Sequence, residues 1–211
     1  MFHIFTKKLV YNLLKYGNDS KKDLCFIKKI MKSLKNKLLV SMPNMSDPYF
    51  AKSVIYVFED DQSGTLGLII NKPISQMKIV NIDEKDKLFD SLLSASKNIY
   101  FGGPVMLNEA CIIRIDDEEK VDFSKKIHLS NDLKSIKNML IDNNFPKNEK
   151  LIFGHSSWGK NQLNDEIKRG DWLIVNYDDS FFNSDPDSMW ANLIKIYGLD
   201  EFGFTGMSGV S

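Results

Sequence analysis

Short apolar runs, rich in β-branched and aromatic residues, alternate with turn residues along most of the chain. Residues 53–59 read Ser-Val-Ile-Tyr-Val-Phe-Glu and residues 65–71 read Thr-Leu-Gly-Leu-Ile-Ile-Asn, a composition typical of buried strands. A five-residue loop that ends at Gly64 separates the two runs, so they are predicted to form a hairpin. Further strands are predicted at residues 38–43, 98–101, 110–115, 151–153 and 171–177.

Helical spacing of apolar residues appears in the second half of the chain. One helix is predicted to open at Ser130 and Asp132, and a second to run from Trp158 to about Arg169, with Ser156 or Ser157 as its cap. The last predicted helix has Asp185 as N-cap, Pro186 at its first position and Gly198 as its stop. A weaker helical pattern covers residues 84–96. Because the strands come in hairpin-like runs, the predicted class is α+β with mixed, mainly antiparallel pairing.

The first 30 residues differ in composition from the rest. They hold seven Lys and two Asp, which leaves 21 of the 28 basic and 26 of the 28 acidic residues for the remainder. Residues 1–30 are predicted to be a poorly ordered or amphipathic basic leader, either a membrane-surface or targeting helix or an upstream extension with Met31 as the true start. The second interpretation is favoured. Residues 31–211 are predicted to form a single domain.

Charge, apolar run length and cysteine usage exclude several classes of protein. The mildly acidic body argues against direct nucleic-acid binding. The longest apolar stretches fall far short of the ~20 residues that cross a bilayer, so no membrane span is predicted. Cys25 and Cys111 lie far apart, which favours unpaired thiols and a cytoplasmic location.

The known catalytic and metal-binding patterns do not fit this sequence. Gly154-His155-Ser156 resembles a nucleophile elbow, but the required Gly two residues after the serine is replaced by Trp158, and no histidine follows His155. Three histidines and two cysteines show no ligand-type spacing, so no metal or other cofactor is predicted. Gly102-Gly103 could cradle an anion through backbone N–H groups, but Pro104 removes one donor and a tight structural turn is favoured.

A polar stripe on the predicted 158–169 helix is the most distinctive candidate feature. Trp158, Gln162 and Glu166 are spaced four residues apart and would share one helix face. A buried amide and carboxylate each need hydrogen-bond partners. The stripe is therefore either a ligand-facing surface or an internal network that fixes the helix to the Asp47-Pro48 loop, and both interpretations stay open.

The ordered set of segments resembles the YqgE/AlgH family of bacterial proteins. The matching residues are Ser41-Met42-Pro43, Asp47-Pro48-Tyr49-Phe50, residues 53–57, residues 67–73, Phe101-Gly102-Gly103-Pro104-Val105, Gly154, Trp158, Gly159, Gln162-Leu163, Glu166-Ile167 and Trp172-Leu173. The resemblance implies a bifurcated sheet curled into a pseudo-barrel with helices packed around it. It also implies a regulatory role, because the AlgH name comes from a regulatory role in alginate production. The resemblance supplies no catalytic residues. His155-Ser156 and the tail at residues 201–211 depart from the family pattern.

These observations favour a non-catalytic regulatory or binding protein, which acts on transcription indirectly and binds a small molecule or a protein. One alternative is an enzyme of unknown reaction that uses Glu166 or Asp47 as acid or base. Another is that the polar residues only stabilise the fold. The predicted binding patch comprises Asp47, Pro48, Phe50, Ser53, Asn71, Gly102, Gly103, Trp158, Gln162 and Glu166.

Overall fold

A computed structural model describes residues 33–76, 98–116, 127–142, 144–178 and 182–198 of the chain. The predicted leader at residues 1–30 and the predicted helix at residues 84–96 lie outside the described residues. The assignment of Met31 as the start of the domain stays a prediction.

Eight strands and three α-helices make up the described part of the chain. The strands are β1 Lys37–Ser41, β2 Val54–Asp60, β3 Gly64–Ile69, β4 Ile99–Phe101, β5 Val105–Ile115, β6 Ile127–Ser130, β7 Glu149–Gly159 and β8 Trp172–Asn176. The helices are α1 Leu133–Asp142, α2 Gln162–Arg169 and α3 Pro186–Ile196, and a short 3-10 helix spans Ile74–Gln76.

All eight strands belong to one curled, mainly antiparallel sheet. Seven of them follow the order β6-β5-β7-β3-β2-β1-β8, and β4 joins the sheet by pairing with β7. β4 and β7 run parallel, whereas the other described pairs are antiparallel. β4 pairs with residues 151–153 of β7 and β3 with residues 156–159, so the sheet forks along β7. This architecture confirms the predicted α+β class.

The central strands β1 and β2 are buried on both faces of the sheet, which explains why they read as nearly continuous apolar runs. Successive side chains of a strand point to opposite faces. Leu39 and Ile55 therefore join the core that contains α1 and α2, while Val40 and Val54 join the core that contains α3. α3 contributes Met189, Trp190, Leu193 and Ile194 to that second core.

The ends of α1 and α3 agree with the sequence prediction. Asp132 accepts the Ser135 N–H at 2.9 Å at the start of α1. Asp185 accepts the Ser188 N–H at 3.2 Å at the start of α3, and Pro186 occupies the first turn. Both helices begin where a side-chain oxygen satisfies a backbone donor that has no partner inside the helix.

The predicted start of the second helix was wrong. β7 continues as a strand to Gly159, because residues 156–159 pair with β3 in the register Gly67↔Ser156 to Gly64↔Gly159. Ser156 therefore does not cap a helix, and its hydroxyl instead donates to the carbonyl oxygen of Gly102 at 3.1 Å. α2 begins only at Gln162, after Asn161 reverses the chain with a left-handed backbone at φ 66°.

The sequence analysis did not predict β6 and predicted only the second half of β5. β6 is a four-residue strand with a mostly exposed burial pattern, so it lacks the apolar signal of a buried strand. β5 begins five residues before the predicted position, at Val105. Its register against β7 shifts between Val105 and Ala110, and Met106 has a positive φ of 52°. This irregularity interrupts the alternating pattern on which strand prediction depends.

Candidate functional site

The carboxylate of Glu166 is the centre of an internal hydrogen-bond network. Its Oε2 accepts the indole N–H of Trp158 at 2.9 Å and that of Trp172 at 2.8 Å. Its Oε1 accepts the side-chain amide of Gln162 at 3.0 Å. Gln162 in turn accepts the backbone N–H of Gly159 at 3.0 Å. The predicted contact among Trp158, Gln162 and Glu166 is therefore present, although Trp158 reaches it from strand β7.

Phe50 joins this network to the loop that begins at Asp47. Its ring lies 6.0 Å from the ring of Trp158 and 5.7 Å from that of Trp172, and the two indoles meet edge to face at 5.9 Å. Trp158 and Trp172 are only 2% and 4% exposed. The three aromatic rings thus form a closed cluster that a ligand cannot enter without displacing them.

The Asp47–Phe50 loop is fixed from inside and from outside. Asp47 Oδ1 accepts the backbone N–H groups of Tyr49 at 2.8 Å and Phe50 at 3.1 Å. Lys72 Nζ donates to the Tyr49 carbonyl oxygen at 2.7 Å. Burial lowers the pKa of Lys72 to about 8, and the nearby Asp47 carboxylate partly opposes this shift. Asp47, Pro48 and Tyr49 remain exposed on the outer side of the loop.

Asn71 and Ser53 hold the same loop from behind. Asn71 is buried, and its side chain accepts the Val54 N–H at 2.7 Å and donates to the Lys52 carbonyl oxygen at 3.0 Å. The Ser53 N–H donates to the Ser41 hydroxyl at 2.9 Å. Within the described part of the chain, the buried Ser53 hydroxyl has no hydrogen-bond partner. Neither side chain reaches the surface.

Gly102 and Gly103 lie at the fork of the sheet, where β4 passes close to β7. A Cβ on Gly102 would lie 2.3 Å from the Gly154 carbonyl oxygen, and one on Gly103 would lie 2.3 Å from the carbonyl carbon of His155. Gly102 N–H donates to the Phe153 carbonyl oxygen at 2.8 Å. These glycines permit close backbone packing, which agrees with the favoured interpretation of a tight structural turn.

A polar cleft lies elsewhere, at the end of the sheet where β3 and β7 stop pairing. Gly64 opposite Gly159 is their last described pair, so the 60–64 turn and the 159–164 turn project side by side. They border a space of about 370 Å³. It is lined by Leu34, Asp60, Asp61, Gln62, Gly64, Thr65, Gly159, Lys160, Asn161, Leu163 and Asn164.

Several polar side chains of this cleft have no partner among the described residues. Considering the described residues alone, no hydrogen bond or ion pair occupies the side chains of Gln62, Lys160, Asn161 and Asn164. None of the ten residues of the predicted patch lines the cleft. Gln162 lies next to the cleft, because its side chain accepts the backbone N–H of Gly159, a residue that lines it.

Sequence reasoning missed the cleft residues for an identifiable reason. Asp60-Asp61-Gln62-Ser63-Gly64 was assigned only as a hairpin turn, and residues 160–161 were placed inside a helix. The usable signal was the polar run Lys160-Asn161, which suits a turn better than the middle of a buried helix. That signal does not reveal which other turn faces it, because their proximity depends on the pairing of β3 with β7.

A family model shows to which family the chain belongs. Residues 38–201 match the family model DUF179, described as AlgH-like. The chain belongs to this AlgH-like family. The resemblance inferred from the sequence is thereby confirmed.

Bacterial relatives cover nearly the same length as this AlgH-like chain. A UPF0301 protein of Photorhabdus laumondii is 32% identical over 187 residues, which are 84% of this chain and 98% of the relative. The UPF0301 protein YqgE of Salmonella paratyphi B is 28% identical over 84% of this chain and 98% of its own. None of these names states a reaction or a ligand.

Solved structures agree on the fold. The solution structure of AlgH from Pseudomonas aeruginosa has a TM-score of 0.57 and 22% identity, and the match covers 86% of this chain and 97% of AlgH. A crystal structure from Corynebacterium diphtheriae has a TM-score of 0.55 and 20% identity, with 81% of this chain and 92% of that chain covered. At these identities the similarity establishes the fold alone.

Two further features bear on the kind of site this AlgH-like protein could contain. Within the described ranges, three or more His, Cys, Asp or Glu side chains do not come together as a metal ion would require. None of the helices described above combines the length and the apolar character needed to cross a membrane.

Proposed function

We propose that this AlgH-like protein is a non-catalytic binding protein that recognises a small polar molecule in the cleft between the 60–64 and 159–164 turns. The observation that carries the proposal is the convergence, on a space of about 370 Å³, of polar side chains that have no partner in the described part of the chain. Ligand pockets commonly measure roughly 300–1,000 Å³ and orient their ligands through a few polar groups. Among the described residues, the buried side chains of Asn71 and Ser156 already have internal partners.

The Glu166 network supports this function by positioning one wall of the cleft. Glu166 orients Gln162, and Gln162 holds the backbone of Gly159. The turn that follows carries Lys160 and Asn161. A binding site keeps its affinity when the residues that contact the ligand are held in place before binding. In this proposal Trp158, Gln162 and Glu166 act as supporting residues.

A binding role accounts for the two candidate acids better than an enzymatic role does. Glu166 already accepts three hydrogen bonds from neighbouring side chains. Asp47 accepts two backbone N–H groups of its own loop. A general base must reach a proton of the substrate at hydrogen-bond distance. Glu166 would have to abandon these partners to do so, and Asp47 would offer only its Oδ2, because Oδ1 holds the loop.

A second candidate surface is the outer side of the Asp47–Phe50 loop, which would bind a protein. Tyr49 is 40% exposed, and its ring is held against Phe101 at 5.8 Å. A rigid exposed aromatic side chain is a common anchor in protein interfaces. Asp47 and Lys72 would supply opposite charges on either side of it.

A regulatory effect on transcription would then be indirect, through the bound molecule or partner. The excess of acidic residues outside the first 30 positions supports an indirect route, because phosphate contacts require a concentrated basic surface. A cytoplasmic location is part of the same proposal. Cys111 supports it, because the thiol is unpaired and burial raises its pKa to about 11, which makes it an inert structural thiol.

A fragment screen by protein NMR tests the cleft directly. We expect polar fragments to shift the backbone amide signals of Asp61, Gly64, Gly159 and Asn161 in the full chain. Lys160→Ala and Asn164→Ala should weaken this binding, because both remove cleft side chains without removing an internal hydrogen bond. The matched controls are Lys137→Ala and Asn138→Ala, two exposed positions on α1.

Two results of this screen would contradict the proposal. Fragment shifts confined to Tyr49 and Lys72, unaffected by the cleft variants, would transfer the function to the loop surface. A complete absence of shifts in the cleft with a chemically diverse polar library would remove the small-molecule proposal.

A further inference from the structure

The two walls of the cleft carry opposite charges, and this property defines the class of ligand. We propose that the cleft binds a small zwitterion of the amino-acid or short-peptide class, with its ammonium group on the Asp60–Asp61 side and its carboxylate on the Lys160 side. This inference rests on the function proposed above and specifies the ligand of that site.

The acidic wall is formed by the side chains of Asp60 and Asp61, whose oxygens accept hydrogen bonds. Asp60 Oδ2 accepts the Leu34 N–H at 2.6 Å, and its Oδ1 accepts the Thr65 hydroxyl at 2.6 Å. Asp61 Oδ1 accepts the Ser63 N–H at 2.7 Å. All of these donors are neutral groups. They orient the two carboxylates but leave their charge for a cation to balance.

The opposite wall carries a cation with no counter-ion. Lys160 is exposed and forms no ion pair with any of the described residues. The amide side chains of Asn161 and Asn164 border the same space and can donate to a carboxylate. Lys160 precedes an Asn161 with left-handed backbone, so the turn itself determines where this wall lies.

Strand pairing brings the two walls to the same cleft. The pair Gly64 and Gly159 closes the β3–β7 ladder. Asp60 ends β2 in register with Thr65 of β3. The carboxylates therefore precede the ladder end on one chain segment, while Lys160 follows it on the other.

The charge arrangement excludes ligands of a single sign as the best occupants. A purely anionic molecule would lie next to two ionised carboxylates, and a purely cationic one would lie next to Lys160. Like charges at close range disfavour binding and are a common source of specificity. A molecule with separated ammonium and carboxylate groups meets an opposite charge at each end. The volume of about 370 Å³ lies at the small end of ligand pockets and suits an amino acid or dipeptide.

Binding of matched ligands to the full chain tests the inference. The probes are the twenty proteinogenic amino acids and glycylglycine, each titrated singly and followed by the amide signals of Asp61 and Gly159. The best binder is then compared with its α-amide, which retains only the ammonium, and its N-acetyl form, which retains only the carboxylate. We expect each of these single-charge forms to bind at least about tenfold more weakly, because each loses one charge-assisted contact.

Charge variants then assign each end of the ligand to a wall. Lys160→Met should reduce the affinity for the zwitterion by about tenfold. It should not reduce the affinity for the cationic α-amide, because it removes a like charge from the cleft. Asp61→Asn should likewise reduce the affinity for the zwitterion, and it should not reduce the affinity for the N-acetyl form. Lys137→Met and Asp142→Asn on α1 are the matched controls and should change neither. Asp61 and Lys160 are exposed, so these substitutions should leave the melting temperature unchanged.

Three outcomes overturn the inference while leaving the proposed function intact. In the first, the single-charge forms bind as tightly as the zwitterion. In the second, the charge variants have no selective effect. In the third, no amino acid or glycylglycine binds while the fragment screen still finds ligands of this cleft. A screen that finds no ligand in the cleft at all overturns the proposed function itself.

Discussion

At the scale of single residues, the half-buried carboxylate of Glu166 shows how two buried indole N–H groups obtain an acceptor. An indole N–H that is removed from water needs an acceptor, and Trp158 and Trp172 both find it in Glu166 Oε2. One carboxylate thus satisfies two large aromatic side chains from two different strands. Phe50 packs on the same indoles, so the contact also fixes the Asp47–Phe50 loop.

Glu166→Gln is expected to destabilise the fold by about 2 kcal/mol, since the amide loses the acceptor's charge and, when its oxygen accepts from both indoles, directs its NH2 group at the Gln162 amide donor. This loss corresponds to a melting temperature lower by roughly 4–8 °C for a chain of this size. The matched control is Asp165→Asn on the exposed side of α2, which should leave the melting temperature nearly unchanged. Equal melting temperatures for Glu166→Gln and the wild-type chain would contradict a structural role for the network.

At the scale of elements, the fork of the sheet depends on backbone-to-backbone contact. β4 pairs in parallel with β7 over three residue pairs, and Gly102 directly follows the last of them. The Gly102 carbonyl oxygen accepts both the Ile69 N–H at 2.9 Å and the Ser156 hydroxyl at 3.1 Å. Gly102 therefore connects β3, β4 and β7 at the position where the ladder changes partner.

Gly102→Ala is expected to reduce the free energy of unfolding by about 3 kcal/mol, the upper end of the usual range for overpacking. The new methyl group would lie 2.3 Å from the Gly154 carbonyl oxygen and 2.6 Å from Ile152 Cγ2. Gly159→Ala at the end of β7 is the control, because the nearest contact of its new methyl group would be Gln162 Oε1 at 3.8 Å. Denaturant unfolding of both variants decides the point. Similar losses in the two variants would show that strand flexibility, and not close packing, explains the need for glycine.

At the scale of the whole molecule, one buried lysine makes global stability depend on pH. Lys150 is a residue of β7, and its side chain is buried on the side of the sheet that packs against α3. Its Nζ donates to the Tyr100 hydroxyl at 3.1 Å. The same nitrogen lies 4.2 Å from the Tyr100 ring centroid and 4.9 Å from that of Phe182. Burial lowers the pKa of Lys150 from 10.5 to about 8. The lowered pKa means that the charged amine is less favourable in the folded than in the unfolded chain.

The sign of the pH effect follows from this difference. Below about pH 8 the lysine is protonated in both states, and the full cost of the shift, about 3 kcal/mol, acts against folding. Above pH 10.5 it is neutral in both states and the cost disappears. The wild-type chain should therefore gain about 2 kcal/mol relative to Lys150→Met between pH 7 and pH 10.

Urea unfolding of the two proteins across this pH range measures the gain. Tyr56, whose pKa burial raises to about 12, is present in both proteins, so its contribution cancels in the difference. A difference in stability between them that does not vary with pH would show that Lys150 keeps the pKa of an exposed lysine.

Local pattern accounted for most elements but not for their ends. The hairpin of β2 and β3 and the caps of α1 and α3 follow from adjacent residues, and all of them were predicted. Trp158 was placed on a helix because its spacing to Gln162 and Glu166 also fits helical periodicity. The pairing of Thr65 with Trp158 overrides that periodicity, and a pairing across more than ninety positions leaves no local trace.

Some residues of the predicted patch lie close together, but the role of the patch as a binding site stays a prediction. Phe50, Trp158, Gln162 and Glu166 do meet, and Asn71 and Ser53 lie behind the Asp47–Phe50 loop. Their hydrogen bonds are mostly made inside the fold, so binding through this patch stays a proposal limited to its exposed members, Asp47, Pro48 and Gln162. The sequence could not reveal this, because one residue type serves equally as an internal partner or as a ligand contact.

The amino-acid sequence by itself determined the α+β class, most strands and helices, the family and the absence of familiar catalytic patterns, because those properties reside in local composition and in the order of motifs. Only the tertiary structure decided that β7 extends to Gly159, that Glu166 lies between two indoles, and that Asp60 and Lys160 border one cleft. Each of these depends on which distant strands pair and in which register. Burial and free hydrogen-bonding capacity are properties of that arrangement, and no single segment specifies them.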